Sequence, residues 1–231
     1  MAVSSNALFH FTSTIDTLEK ILRSRYFLPR YCVEYDKGII ENDCYYAIPM
    51  VCFCDIPLSN IQDHTKDYGK YGIGMYKGWA KDKIAPITYY KEKSTLSKKL
   101  YDNISPTITT EQKMQWFSLL KRYYGETWSL KKRKYIHKVL YNEREWRYVP
   151  ILKKGEERYK EVNDVVAFNR IRMKESKPLE AYPLKFSYDE IKYIFVKDKK
   201  DRSSIVDLVA SLVGKVNKIN ILTINQIRED F

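Results

Sequence analysis

This sequence is poor in the residue patterns that announce a class. It has four cysteines in 231 residues (Cys32, Cys44, Cys52 and Cys54), too few and too clustered for a disulfide scaffold, so reduced thiols and a cytoplasmic setting are expected. No apolar run approaches the ~20 residues that span a bilayer. The opening "MAVSSNALFHF" has no basic segment followed by an apolar one, which argues against a signal peptide. Internal repeats, low-complexity tracts and long linkers are missing. So are a G-x-G-x-x-G turn opening a helix, a G-x-x-x-x-G-K-[ST] loop and a G-x-S-x-G elbow, which leaves the usual dinucleotide, P-loop and serine-hydrolase chemistries without support. Acidic residues are outnumbered.

What is present is a globular composition, 44% hydrophobic and 30% charged, with a length that can bury a full core. Lys and Arg number 41 against 29 Asp and Glu, a formal charge of +12. That excess favours nucleic acid or an acidic protein as partner, although an AT-rich bacterial genome enriches lysine without any ligand. The basic residues cluster at Lys121, Arg122, Lys131, Lys132, Arg133, Lys134 and Lys138. Twenty tyrosines suit clefts and interfaces as well as core edges.

The hydrophobic pattern predicts one α+β domain over 1–231 with a helical, basic insertion near 94–140. "LFHFTS", Leu8 to Ser13, reads as a strand, followed by a helix in "STIDTLEKILRSRYFLP" capped by Ser13 or Thr14, with Pro29 at its exit. Residues 31–49 read as loop and irregular strand, and "MVCFCDIP" as a buried central strand. A short helix follows, closed by Gly69, then a glycine-rich strand "KYGIGMYKGWA" and another in "IAPITYY". Thr109 and Gln112 have capping-box spacing. "KKRKYIHKV" reads as a basic helix leading into a strand "NEREWRYVP". "DVVAFNRIRM" and "LKFSYDEIKYIFVK" read as strands, "RSSIVDLVASLV" as a helix, and "INILTINQI" as a closing strand.

Four constellations invite chemistry. On a strand, Glu143, Glu145 and Arg147 would share a face, with the two glutamates about 7 Å apart at Cα. Such a pair suits glycosyl transfer, and equally an edge ladder of Glu and Arg. His10 and Thr12 would share one face of the first strand, and could hold ribose hydroxyls or pack in a core. Cys44, Cys52, Cys54 and His64 are zinc-ligand types without zinc spacing, so no metal is expected. Tyr68, Tyr71 and Tyr76 could stack on a base or pack in the core.

The segments "LFHFTSTIDTLEKIL", "IPMVCFCDIPLSNIQDHTKDYGKYGIGMYKGWA" and "YNEREWRYVP" resemble the AbiGi family of bacterial abortive-infection phage resistance. The likeness covers most of the chain and is weakest between about 94 and 135. It implies an antitoxin half of a two-gene defence pair, hence a cognate toxin or phage component as partner. The opening "H-F-T" strand and helix are also similar, more distantly, to ADP-ribosyltransferases, including DarT-like enzymes that modify DNA. That similarity implies a mixed, split β-sheet and NAD as co-substrate. It places His10 and Thr12 at the nicotinamide ribose, Tyr68 or Tyr71 stacked on the ring, and Glu145 with Glu143 as the catalytic pair. The acceptor would be nucleic acid or protein. The alternative is a non-catalytic module that binds its partner through Lys131, Lys132, Arg133, Lys134 and Lys138.

Overall fold

The computed structural model describes residues 4–36, 44–91, 94–129, 134–214 and 218–230. Strand β1 (Ala7–Thr12) leads into helix α1 (Ile15–Ser24), where Thr14 accepts a cap bond from the Thr17 amide and Arg25 closes the helix in a left-handed conformation. A two-residue strand β2 (Tyr26–Phe27) precedes β3 (Arg30–Asp36) and the long β4 (Cys44–Cys54). Residues 31–36 and 44–49, expected to be loop and irregular strand, are therefore regular antiparallel strand, from Arg30 opposite Met50 to Asp36 opposite Cys44; residues 37–43 of that stretch lie outside the described residues.

Helix α2 (Ile61–Tyr68) ends at Gly69, whose φ is 110°. A Cβ there would lie 2.2 Å from the Thr12 carbonyl oxygen, so only glycine lets the chain turn over β1. Strand β5 (Tyr71–Tyr76) then runs antiparallel to β1. Its Gly72 and Gly74 admit the Phe11 and Phe9 rings, as expected of a glycine-rich strand. "IAPITYY" is two strands, β6 (Ile84–Pro86) and β7 (Thr88–Tyr90).

The segment expected to be a helical insertion is helical only in its first half: α3 (Thr95–Ile104) and α4 (Thr110–Phe117), the latter with the Thr109–Gln112 capping box. Beyond it lie β8 (Leu120–Arg122), β9 (Tyr124–Ser129) and β10 (Lys134–Val139). β9 and β10 pair as a hairpin, because Tyr, Thr, Trp, Ile and Val favour a pleated strand over a helix. Lys131, Lys132 and Arg133 lie outside the described residues.

A 3₁₀ turn (Leu140–Glu143) and Arg144, at φ 43°, precede β11 (Glu145–Tyr148). β12 (Lys160–Val162) follows. "DVVAFNRIRM" is helix, not strand: α5 (Val165–Glu175) starts because the Asp164 carboxylate accepts from the Val166 and Ala167 amides, and Val165 and Phe168 bury one face. After β13 (Leu184–Lys185) come β14 (Ile191–Val196), α6 (Lys199–Val213) and β15 (Asn220–Thr223). The chain then turns into α7 (Ile224–Asp230) rather than continuing as strand, since Thr223 and Gln226 cap each other reciprocally.

The architecture is α+β, with a mixed sheet as expected. Nine strands join in one sheet of order β15-β14-β5-β1-β4-β11-β6, with β3 and β12 flanking the first half of β4. β14 and β15 are parallel through the α6 crossover, and the other pairs in that sheet are antiparallel. Both faces are covered. Helices α1 and α6 close one face over Leu8, Phe53 and Ile73, while α2 and α7 close the other over Phe9, Cys54 and Phe195. No helix among the described residues is long and apolar enough to cross a membrane.

Candidate functional site

Opposed residues in an antiparallel pair project to the same side, and neighbours along a strand to opposite sides. Phe9 and Glu145 both face Cys54, and Arg147 faces Cys52. Phe9, Phe11, Cys52, Cys54, Glu145 and Arg147 therefore occupy one side of the sheet. Leu8, His10, Phe53 and Trp146 occupy the other. The two elements expected to meet in a nucleotide cleft, His10 and Glu145, are separated by the sheet itself.

On the His10 side there is packing. The ring lies 5.0 Å from Phe27 and 5.6 Å from Phe53 between centroids. Its Nδ1 stands 2.9 Å from the Cys52 carbonyl oxygen. A carbonyl only accepts, so Nδ1 carries the proton. Burial lowers the pKa, the Cys52 bond opposes this, and Arg30 lowers it further, so the ring is neutral. β1 and β4 share one bridge, at Phe9 and Cys54, and His10 satisfies the strand carbonyl just beyond it. Thr12, half-buried, sits opposite Tyr71, whose hydroxyl donates to Asp201 at 2.7 Å. Burial and that bond push the Tyr71 pKa up to about 12.

On the Glu145 side there is charge. Arg147, 1% exposed, donates from Nε to Glu145 Oε1 at 2.8 Å and from Nη2 to Glu145 Oε2 at 3.2 Å. The same Nη2 reaches Glu34 at 2.5 Å, and Nη1 reaches the Ser118 carbonyl at 2.8 Å. Lys121 Nζ bridges Glu143 Oε2 and Glu145 Oε2, each at 2.7 Å. Glu143 Oε1 accepts from the Tyr68 hydroxyl at 2.5 Å and pairs with Lys138 at 2.8 Å. Lys138 reaches on to Asp67 at 3.1 Å and lies over the Tyr68 ring, which stacks on His64. β3, α2, β8, β10, the turn and β11 are tied together by this one web.

The electrostatics follow from burial. Desolvation alone would raise the Glu143 pKa, but Lys121 and Lys138 overcome it and hold the group down at about 2. Desolvation likewise works against Glu145, and Arg147 and Lys121 hold it far below the usual carboxylate range. Both stay ionised with every oxygen occupied. A carboxylate so held is a poor proton acceptor near neutral pH. Burial drives the His64 pKa down to about 4, so that ring is neutral as well.

The structure thus brings together Glu143, Glu145, Tyr68 and Lys138, and leaves His10, Thr12 and Tyr71 on the far side of the sheet. Glu143 arrives from the 3₁₀ turn, not along the strand, and converges on Glu145 through Lys121. Lys134 is exposed at the start of β10. The residues not anticipated are Lys121, which sits in a basic cluster yet is largely shielded, its side chain 13% exposed, and Glu34 and Asp67. Among the described residues, no three His, Cys, Asp or Glu side chains are grouped so as to hold a metal ion.

Over residues 25–197 the chain matches the family model described as abortive phage resistance protein AbiGi, antitoxin. It is 28% identical over 216 residues to the abortive phage resistance protein AbiGi of Lactococcus lactis subsp. cremoris, an alignment covering 79% of this chain and 87% of that protein. No solved structure matches the chain.

Proposed function

Because the chain belongs to the AbiGi family of abortive phage resistance proteins, we propose that it is the antitoxin of a defence pair and neutralises a cognate toxin by direct contact, not by catalysis. The observation that carries this reading is the saturation of Glu145. Its oxygens are taken by Arg147 and Lys121, and no route leads from it to His10 on the opposite sheet face. Transfer of ADP-ribose from NAD would need that glutamate free to meet a ribose hydroxyl, at the expense of its bonds to Arg147 and Lys121, which would be left to Glu34 and Glu143.

A contact surface is available above the web. Tyr123 and Tyr141 stack at 5.6 Å and are 45% and 40% exposed, and the Arg144 guanidinium lies over the Tyr141 ring at 5.5 Å. Tyrosine and arginine are the residues that interfaces concentrate. With Lys134 on the adjoining hairpin and a net charge of +12, the partner face that fits is acidic.

The test is co-expression with the toxin of the pair, reading growth rescue and co-purification. Wild type should rescue and co-purify, and Tyr141→Ala combined with Lys134→Glu should lose both while keeping its Tm. In parallel, wild type and Glu145→Gln are incubated with labelled NAD. Glu145-dependent label transfer or nicotinamide release would overturn the non-catalytic reading in favour of an ADP-ribosyltransferase.

A further inference from the structure

The outer face of α5 holds a combination that its own fold does not account for. The inner face is ordinary packing, with Val165 and Phe168 against Tyr31, Leu152, Val162 and Leu179. On the other side Val166, Ile171 and Met173 are 42%, 49% and 60% exposed. Single exposed aliphatics are common on a surface, but three within two turns of one helix make a patch. Among them stand Arg170, Arg172 and Lys174. The one carboxylate within the helix, Glu175, is taken by Lys160 at 2.9 Å. Among the described residues, none of the three cations has a carboxylate at ion-pair distance, and the Arg172 Nε is buried without a hydrogen-bond partner. Another cation is near: burial, and after it the Arg172 charge, lower the pKa of Arg30 on β3. The helix dipole favours cations in the last turn, which suits Arg172 and Lys174. It explains neither the aliphatic side chains nor Arg170, whose charge repels that of Lys174 four residues on.

We propose that this face docks an acidic amphipathic helix of a partner protein, its carboxylates on Arg170, Arg172 and Lys174 and its aliphatic side chains over Val166, Ile171 and Met173. The order of residues selects that partner. Val166, Arg170 and Met173 are spaced by four and three, so a cation stands in the middle of the apolar stripe. A phosphate backbone offers nothing to the aliphatic chains, and a bilayer that took them in would take in Arg170 as well. A helix with leucines on one side and glutamates flanking them meets both requirements at once. Guanidinium groups hold carboxylates in a fork, so the arginines set its register. The face shares no residue with the tyrosine surface described above. Only the identity of the partner, the toxin, rests on the antitoxin reading.

The experiment is an anisotropy titration of the full chain with a labelled 18-residue peptide carrying leucines on one helical face and glutamates beside it. Controls are a scrambled peptide of the same composition, a dT 20-mer and vesicles containing phosphatidylserine. Saturable binding is expected, at least tenfold tighter than that of the scrambled peptide. Arg170→Glu should weaken it tenfold or more while keeping or raising Tm, because the new glutamate pairs with Lys174 at a favourable spacing. Met173→Gln, at an exposed position, should weaken it about threefold or more with Tm unchanged. Equal binding of the scrambled peptide, binding that ignores both substitutions, or no binding overturns the proposal. So does Arg170-dependent binding of the oligonucleotide or the vesicles where the peptide fails. In a second arm the toxin of the pair is co-purified, and Arg170→Glu should reduce its capture. Undiminished capture overturns the toxin as the partner at this face. If wild type captures no toxin, the antitoxin reading is what fails, and the peptide titration decides the docking face by itself.

Discussion

The two faces of the central sheet solve the burial problem in different ways. Under α1 and α6 the side chains are apolar, and even the one histidine is neutral and wedged between phenylalanines. Under the β8–β10 region lie buried Glu143, Glu145 and Arg147 with half-buried Glu34 and Lys121, joined by salt bridges. The first face is stabilised by removal of apolar surface from water, which tolerates changes of shape if volume is kept. The second depends on every partner being present, because one unpaired buried charge costs more than the pair contributes. Two residues apart on one strand, Glu145 and Arg147 belong to the second regime, while Trp146 between them belongs to the first.

The sharpest way to break this comparison is Arg147→Ala. It takes their shared guanidinium from Glu34 and Glu145, leaving Lys121 as the cation on Glu145, and should cost about 3–5 kcal/mol in urea unfolding. A cost below 1 kcal/mol would mean the web is hydrated and the contrast false. Next, acid should act on the charged side first. The Glu143 pKa lies at about 2, below the ordinary 4.5, so its stabilisation is complete above pH ~4.5 and lost as pH falls from there toward 2. For His64, lowered to about 4, the loss runs from about pH 6.5 down to 4. Unfolding free energy followed from pH 7 to 3 should fall by a few kcal/mol in total, and Glu143→Gln should flatten the lower part of that curve.

On the apolar side, His10→Ala should cost about 2–3 kcal/mol, through a cavity and an unbonded Cys52 carbonyl. A stability unchanged within 0.5 kcal/mol would place the ring in an open pocket instead. The smallest effect is reserved for a pair that belongs to neither interior. Lys66 and Asp63 are exposed on α2, and Lys66→Ala should shift stability by less than about 0.5 kcal/mol.

Much of this was legible in the one-dimensional pattern, for identifiable reasons. Strand alternation correctly separated Leu8, His10 and Thr12 from Phe9 and Phe11, and the caps at Thr14, Gly69 and Thr109 are local devices that sequence displays. Four segments misled, the first being residues 31–36 and 44–49, which pair as regular strands. Asp164 starts a helix that its β-branched neighbours disguise, Thr223 and Gln226 start another, and the lysines of 131–138 mask a hairpin. At the candidate site, alternation put Arg147 beside Glu145, where it is found. It could not show that Lys121, from a separate strand, lies between the two glutamates, because that meeting is made by tertiary packing alone. Nor could it show that both faces of β1 are buried: an amphipathic pattern and a two-sided core differ only in what the rest of the chain supplies.

The strand order also sets a clock. β5 pairs with β1 early in synthesis, but its other edge waits for Ile191–Val196, and β14 in turn waits for Asn220–Thr223. At ordinary ribosomal speeds the interval between β5 and β14 lasts on the order of ten seconds. Throughout it, Ile73 and Met75 belong to an unfinished sheet with an open edge. A partially made chain therefore presents an unpaired strand edge before it presents its finished surface. Under the proposed antitoxin role, a toxin that folds from shorter-range contacts would be ready first, and the balance between the two would be decided by how quickly each chain matures as well as by how tightly the finished molecules hold each other.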